Sequence, residues 1–119
     1  MKEIYSLIAF IIIIIIISSC TKDKLSPTPD TFHDVDVLAS EFSPFSLTIN
    51  VGDTVKWTNS SGFHNVNGTI VTFSSNPESF GNSVASAPWT FEYVFNTIGT
   101  YNYQCDAHAP MMSGKVIVN

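Results

Sequence analysis

The feature that most constrains this 119-residue chain is a group of sulfur- and nitrogen-bearing side chains close to its C-terminus. Cys105, His108, Met111 and Met112 fall within eight residues, directly after a segment in which apolar and polar residues alternate. Another histidine, His64, lies in a distant segment, after a strand-like run and a polar turn. A fold that gathers all five must bring the ends of two separate strands side by side.

These five side chains supply one thiolate, two imidazoles and two thioethers. Two histidines and a cysteine in a trigonal plane, with a long and weak axial methionine, form the ligand set of a blue-copper site. Structural zinc sites have four strong ligands and seldom use methionine, although zinc also accepts cysteine and histidine. The donors therefore predict one copper ion bound by His64, Cys105, His108 and a methionine. The third histidine, His33, is expected to be a solvated edge residue and no ligand.

Residues 32–119 have the pattern of a single all-β sandwich domain. Short runs rich in Val, Ile, Thr, Phe and Tyr are separated by Gly, Asn, Ser and Pro, without a sustained helical period. Alternation places Tyr101, Tyr103 and Cys105 on one face, so the thiol is expected to point into the sandwich. The predicted strands cover residues 34–37, 45–50, 54–58, 90–95, 100–105 and 115–118, with a long connection over 74–88 that has room for one helical turn.

Residues 1–19 are predicted to be a signal peptide. Their continuous apolar run, residues 7–17, is shorter than the about 17–25 residues that cross a bilayer comfortably. Residues 17–20, an aliphatic residue, two serines and a cysteine, resemble the lipobox of bacterial lipoproteins. The resemblance implies that Cys20 is acylated and anchors the exported chain to a bacterial membrane, on the periplasmic or outer-surface side. The alternatives are a free thiol in an uncleaved anchor and a disulfide with Cys105, which would consume the thiol that binds metal.

Residues 20–31 predict a flexible tether between the lipid and the folded domain, because they are rich in Lys, Asp, Ser, Pro and Thr and offer little to bury. The chain has a net charge of −5 and no arginine. Loss of residues 1–19 would remove one charge of each sign and leave this balance unchanged. Nucleic-acid binding needs clustered Lys and Arg, so a nucleic-acid partner is not expected.

From about residue 33 to residue 119 the chain resembles the plastocyanin/amicyanin branch of the cupredoxins. The resemblance implies a Greek-key β-sandwich with one copper ion at one pole, held by His64, Cys105, His108 and a methionine. The matching stretches are residues 41–42, 47–57, 63–66, 76–80, 99–105 and 112–116.

The axial methionine is left open by this resemblance. Counting forward from His108 selects Met111, as in amicyanin loops. Counting back from the Met-x-Gly-Lys-Val register selects Met112, which we favour because strand register fixes a side chain more firmly than loop length. Two positions depart from plastocyanins: Ala107 replaces a proline, and Gln104 replaces an exposed tyrosine. The second departure argues against a photosynthetic role.

The protein is then expected to be a monomeric carrier of single electrons, cycling between Cu(I) and Cu(II) at the cell envelope. Redox partners would dock at the His108 edge, beside Ala109 and Pro110. The Asn65 side chain would connect the two ligand segments, and the Asn65 backbone N–H would donate to the Cys105 sulfur. The alternative is a copper-binding or delivery protein that does not cycle its metal. An enzyme is not expected, since copper enzymes such as nitrite reductases and laccases need additional histidine clusters.

Overall fold

The computed structural model describes residues 31–119, so the predicted signal peptide, the Cys20 lipidation site and all of the tether except residue 31 lie outside the described residues. Within this range no helix is long and apolar enough to cross a membrane. The described chain has nine strands and one 3₁₀ turn: β1 (Phe32–Val37), β2 (Phe42–Ser43), β3 (Ser46–Ile49), β4 (Thr54–Asn59), β5 (Phe63–His64), β6 (Ala85–Ser86), β7 (Trp89–Val94), β8 (Gly99–Gln104), the 3₁₀ turn (Asp106–His108) and β9 (Ser113–Val118).

The strands form a four-stranded sheet in the order β2-β1-β4-β7, a three-stranded sheet in the order β3-β9-β8, and a short β5-β6 ribbon. β1 pairs with β4 in parallel, as β3 does with β9, whereas the β4–β7 and β8–β9 pairs are antiparallel. The two larger sheets share one core. The predicted fold class, an all-β Greek-key sandwich, is confirmed. The connection over 74–88 differs from the expectation, because it contributes β6 as the partner of β5 and contains no helical turn.

Alternation of apolar and polar residues gives each strand an inner and an outer face. The two valines of β1 are buried and its two aspartates are exposed. In β8, Tyr101 and Tyr103 are buried. Cys105, one residue beyond that strand, continues the same face and is also fully buried. The predicted inward orientation of the thiol is therefore confirmed.

Trp57 in β4 lies at the centre of the core. Its fully buried indole stacks on Phe80 and Phe91, with ring centroids 5.8 and 5.5 Å away, and meets Tyr103 edge-on at 5.5 Å. Such ring pairs contribute about 0.5–1.5 kcal/mol beyond the burial of their area. Because Tyr103 lies two residues before Cys105, this aromatic cluster holds the strand that leads to the thiol.

The parallel pair β1 and β4 defines two poles of the sandwich. Both strands end towards His64, and we call this end the His64 pole. Both begin at the opposite end, which we call the Phe32 pole. There the turn before β4 contains Gly52, whose φ of 93° lies in the region that favours glycine.

His33 is hydrogen-bonded at the Phe32 pole, which corrects its expected solvated state. Its Nε2 atom lies 2.9 Å from the Asp53 carboxylate and the side chain is only partly exposed. The same carboxylate oxygen accepts the Asn50 N–H at 3.0 Å. The bond from Asn50, and after it the bond to His33, holds the pKa of Asp53 below its usual value.

Candidate metal centre

Three of the predicted ligands converge at the His64 pole. His64 ends β5 and is buried, Cys105 follows β8, and His108 ends the 3₁₀ turn and is exposed. One ligand atom from each of these side chains lies within 4.8 Å of the others. Residues 41 positions apart are thus brought together by the end of one short ribbon and the end of one strand.

The distances between the donor atoms fit a first-row metal ion. The Cys105 sulfur lies 3.7 Å from Nδ1 of His64 and 3.6 Å from Nδ1 of His108. Metal–thiolate and metal–imidazole bonds of about 2.3 and 2.0 Å, meeting at tetrahedral to trigonal angles, separate sulfur from nitrogen by roughly 3.5–3.8 Å. Both imidazoles also present the same nitrogen to the sulfur. The arrangement therefore suits a metal ion placed between all three atoms.

Backbone hydrogen bonds close the loop that carries the C-terminal ligands. The His108 N–H donates to the Cys105 carbonyl at 3.2 Å, and the Met112 N–H donates to the His108 carbonyl at 3.2 Å. The Cys105 N–H in turn donates to the Met112 carbonyl at 2.9 Å. This cycle of three bonds fixes the spacing of the three residues through the main chain.

The two methionines are in opposite environments. Met112 is fully buried directly before β9, within the cycle of backbone bonds. Met111 is 88% exposed. Of the two methionines, Met112 alone is therefore enclosed by the protein.

The sequence profile of the copper binding proteins of the plastocyanin/azurin family matches residues 31–119. The chain belongs to that family. The match spans every described strand and all three converging donors.

Individual relatives agree with this assignment. The chain is 33% identical over 100 residues to amicyanin-alpha of Methylorubrum extorquens, covering 81% of this chain and 79% of that protein. It is 37% identical over 83 residues to the chloroplastic plastocyanin of Tetradesmus obliquus, covering 65% of this chain but only 57% of that protein. A solved structure of a reduced Cu(I) amicyanin variant at pH 4 superimposes with a TM-score of 0.62 at 30% identity, covering 76% of this chain and 84% of that one.

Family membership and the converging donors together give this cupredoxin one copper ion as its cofactor. The donor set agrees with that metal, because a soft thiolate and imidazoles are the ligands that copper prefers.

The Asn65 side chain connects the two ligand segments of the cupredoxin site. Its Oδ1 accepts the Asp106 N–H at 2.7 Å, and its Nδ2 donates to the Asp106 carboxylate at 2.9 Å. Asn65 directly follows His64, and Asp106 directly follows Cys105. This pair of hydrogen bonds therefore joins the residues next to the two ligands. Within residues 31–119, no hydrogen bond joins the Asn65 backbone N–H to the Cys105 sulfur, so the bond expected from the sequence is not found.

Asp106 is the supporting residue that sequence reasoning missed. One of its carboxylate oxygens accepts from Asn65, and the other accepts from Asn67 at 2.9 Å and Gln104 at 3.1 Å. Burial alone would raise the pKa of Asp106, but the bonds from Asn67, Gln104 and Asn65 outweigh it and lower that pKa. The available signal was an acidic residue directly after the cysteine, surrounded by amides near both ligand segments. We call Asn65, Asn67, Gln104 and Asp106 the amide clasp.

The His64 imidazole lies against Gly62, and its burial disfavours the charged form. Burial, and then the proximity of His108, lower the pKa of His64, and the neutral ring is the form that binds metal. A Cβ atom at Gly62 would lie 2.8 Å from the His64 Nε2, and the φ of Gly62 is 83°. The absence of a side chain at this position therefore leaves space for the ring.

The outer edge of the site is open and partly apolar. His108 borders a shallow depression of about 340 Å³ that is also lined by Ala39, Phe63 and Ala107. Phe63 is exposed, as is Met111 on the loop that follows His108. The exposed imidazole is thus surrounded by small and apolar side chains.

Proposed function

We propose that this protein is a blue-copper electron carrier of the cell envelope, with His64, Cys105, His108 and Met112 as its copper ligands. The observation that carries the proposal is the approach of two imidazole Nδ1 atoms to within 3.7 Å of one buried cysteine sulfur. The burial of Met112 supports it as the axial ligand in preference to Met111. The resemblance to amicyanin and plastocyanin supports electron transfer as the use of the site.

Copper supplies the chemistry, a one-electron exchange between Cu(I) and Cu(II). Donor atoms that the protein holds in fixed positions would need little rearrangement when the charge of the bound ion changes. The backbone cycle through Cys105, His108 and Met112 fixes the ligands within one loop. The amide clasp fixes the two ligand segments relative to each other. Burial of Cys105 and His64 excludes water from the inner side of the site.

The exposed His108 edge is the proposed route for the electron and the proposed docking face. Phe63, Ala109, Pro110 and Met111 are exposed and uncharged, and they form the proposed apolar contact. Weak and rapid redox encounters use interfaces below about 1,200 Å². A monomer that presents this edge to successive partners fits that mode of binding.

We further propose that the chain is exported and held at the membrane by acylation of Cys20. The support is the apolar run over residues 7–17 and the lipobox-like segment over residues 17–20. Mass spectrometry of the mature protein from a bacterial host tests this point, because acylation adds the mass of the acyl chains to an N-terminal peptide that begins at Cys20. An N-terminus further upstream without that mass would contradict it.

The test of function is an absorption and EPR spectrum of the copper-loaded protein together with its voltammogram. An electron carrier is expected to be intensely blue as Cu(II) and to show a reversible one-electron wave. Cys105→Ser is expected to lose the blue colour because it removes the thiolate. Tight Cu(I) binding without a stable Cu(II) state would instead favour copper storage or delivery. A colourless Cu(II) protein would overturn the proposed ligand set.

A further inference from the structure

Four large apolar side chains are exposed at the Phe32 pole, away from the copper site. They belong to the first residue of β1, the turn before β4, the last residue of β7 and the turn before β8. The most exposed are Ile98 at 68% and Phe32 at 60%. Clustered exposed apolar residues indicate a binding surface, whereas isolated ones do not. We call the group the Phe32-pole patch; its members are Phe32, Val51, Val94 and Ile98.

Strand register places two members of the patch on one outer face. Thr54 pairs with Phe32 on one side and with Val94 on the other. The two apolar residues are thus two strand spacings apart, about 10 Å. Thr54 lies between them and is itself buried, although no second sheet formed by residues 31–119 packs on this face. Phe32 and Val94 therefore flank the buried Thr54 with exposed apolar side chains on the same face.

The other two members adjoin the same end of the sandwich. The Val51 N–H donates to the Asn119 carbonyl at 3.1 Å. The N–H of Gly52, the next residue, donates to the carbonyl of Phe95, which follows Val94, at 2.8 Å. Ile98 directly precedes Gly99, whose partner in β9 comes immediately before Asn119. The patch thus extends across both sheets at one pole.

The chain that leads to the proposed anchor enters the domain inside this patch. Residues 21–31 alone separate Cys20 from Phe32. A flexible segment of that length has an end-to-end distance of roughly 17–20 Å. We propose that the Phe32-pole patch rests on the bilayer that holds the lipid of Cys20, an inference that depends on the lipid anchor of the proposed function.

A short tether makes a small apolar patch sufficient for this contact. It holds the patch at an effective concentration in the millimolar range next to the bilayer. A patch that binds too weakly to hold an unanchored protein on the bilayer then stays in contact with it. Phe32 and its aliphatic neighbours lie at the boundary between headgroups and acyl chains. The consequence is an orientation. β1 runs from the Phe32 pole towards the His64 pole, so the His108 edge faces away from the membrane and towards soluble partners.

The test uses the full-length acylated chain on phosphatidylcholine vesicles with brominated acyl chains, which quench nearby tryptophan. Phe32→Trp places a reporter in the patch. Val71→Trp is the matched control, because Val71 is 93% exposed and its loop is bonded through Asn67 to Asp106 beside the copper site. Emission is taken as the difference from the parent protein in the same copper state. We expect bromine to quench most of the emission added by Phe32→Trp and none of that added by Val71→Trp.

Two further variants separate the patch from the anchor. Adding Val51→Asp and Ile98→Asp to Phe32→Trp is expected to abolish the bromine quenching, while the protein still floats with the vesicles. Adding Val71→Asp to Phe32→Trp is expected to leave the quenching intact. The blue absorption of each variant reports that its fold and copper site are preserved.

Equal quenching at both reporter positions, or none at either, would overturn the proposal while flotation upheld the anchor. A chain that does not float would overturn both the anchor and the patch, and its blue spectrum would still decide the electron-carrier function separately. Self-association through the patch, seen as a doubled mass that the two aspartate changes abolish, would also overturn it.

Discussion

At the scale of single residues, the position of a side chain matters as much as the donor it carries. Met111 and Met112 offer the same thioether sulfur. Met112 is buried and its backbone is bonded on both sides, whereas Met111 projects into solvent. The axial ligand of a blue-copper site tunes its reduction potential, and only a sulfur that the protein holds in place can do so.

Replacing Met112 by leucine is expected to raise the reduction potential and keep the blue colour. Leucine has a similar volume but offers no sulfur to stabilise Cu(II). We expect a rise of at least about 59 mV, a tenfold change for a one-electron couple, measured by voltammetry. Met111→Leu is the matched control and should leave the potential unchanged. A shift in the Met111 variant instead would show that the methionine was assigned from the wrong register.

Gly62→Ala is expected to disturb both backbone and metal site. The new Cβ would meet the His64 imidazole at 2.8 Å, and alanine disfavours the φ of 83°. Gly52→Ala is the matched control, because its φ is 93° but its Cβ would meet no atom within 4 Å. Both variants should lose about 1–2 kcal/mol of unfolding free energy to backbone strain. Only Gly62→Ala should also change the EPR spectrum and weaken copper retention; equal spectra would rule out the predicted contact.

At the scale of structural elements, the site is a joint between the β5 segment and the loop after β8. The joint does not depend on copper, since the amide clasp and the backbone cycle involve protein atoms only. Asp106 accepts from three amides, two in the segment after β5 and one at the end of β8. Removing this acceptor should therefore loosen the joint more than removing any one donor.

Asp106→Ala is expected to lower the unfolding free energy of the copper-free protein by about 1–3 kcal/mol, because it leaves amide donors without their acceptor. Thermal unfolding of the copper-free form measures this without a contribution from metal binding. Gln104→Ala removes one peripheral donor and should cost less than about 0.5 kcal/mol. If the two variants were equally stable, the clasp would not be the element that joins the ligand segments.

At the scale of the whole molecule, the two poles have different sources of stability. The His64 pole is stabilised by protein bonds and, when loaded, by copper. The Phe32 pole is stabilised by the turn before β4 and by the contact of Asp53 with His33 and Asn50. We therefore expect stability to depend on copper through the His64 pole and on pH through the Phe32 pole.

Copper loading is expected to raise the stability of the whole domain. A ligand that binds only the folded state contributes about 4.1 kcal/mol when its free concentration is 1,000 times the dissociation constant. Unfolding temperatures measured with and without copper check this expectation. Cys105→Ser should show little of the increase because it lacks the thiolate. An increase as large in that variant as in the parent would mean that copper binds elsewhere.

Asp53→Asn is expected to destabilise the domain by about 1 kcal/mol at neutral pH, because a charged acceptor is lost. The folded-state pKa of Asp53 lies below its usual 3.8. Its contribution is therefore complete above the usual value and is lost as the pH falls through the folded-state pKa. Urea unfolding at pH 7 and pH 3 should show the difference from the parent shrinking in acid. Asp36→Asn, an exposed change on the strand that carries His33, is the control. If Asp53→Asn were destabilised relative to the parent as strongly at pH 3 as at pH 7, the lowered pKa of Asp53 would be contradicted.

Much of the site follows from spacing along the chain. Alternation in β8 turns Cys105 inward, and a separation of three residues lets His108 return to the same point. The Met-x-Gly-Lys-Val register favours Met112, whose burial agrees with that choice. These are local consequences of backbone geometry, so they can be read from the residues before any strand is paired.

The sequence by itself determined the donor set, the strand pattern and the inward face that carries the thiol. The tertiary structure decided which distant groups meet: Asp106 with Asn65 and Asn67, His33 with Asp53, and the four apolar residues of the Phe32-pole patch. The physical reason is that periodicity fixes only the direction of a side chain relative to its own strand. Contacts between segments 20 to 41 residues apart depend on which strands pair and in what register. One sequence pattern is compatible with several such pairings.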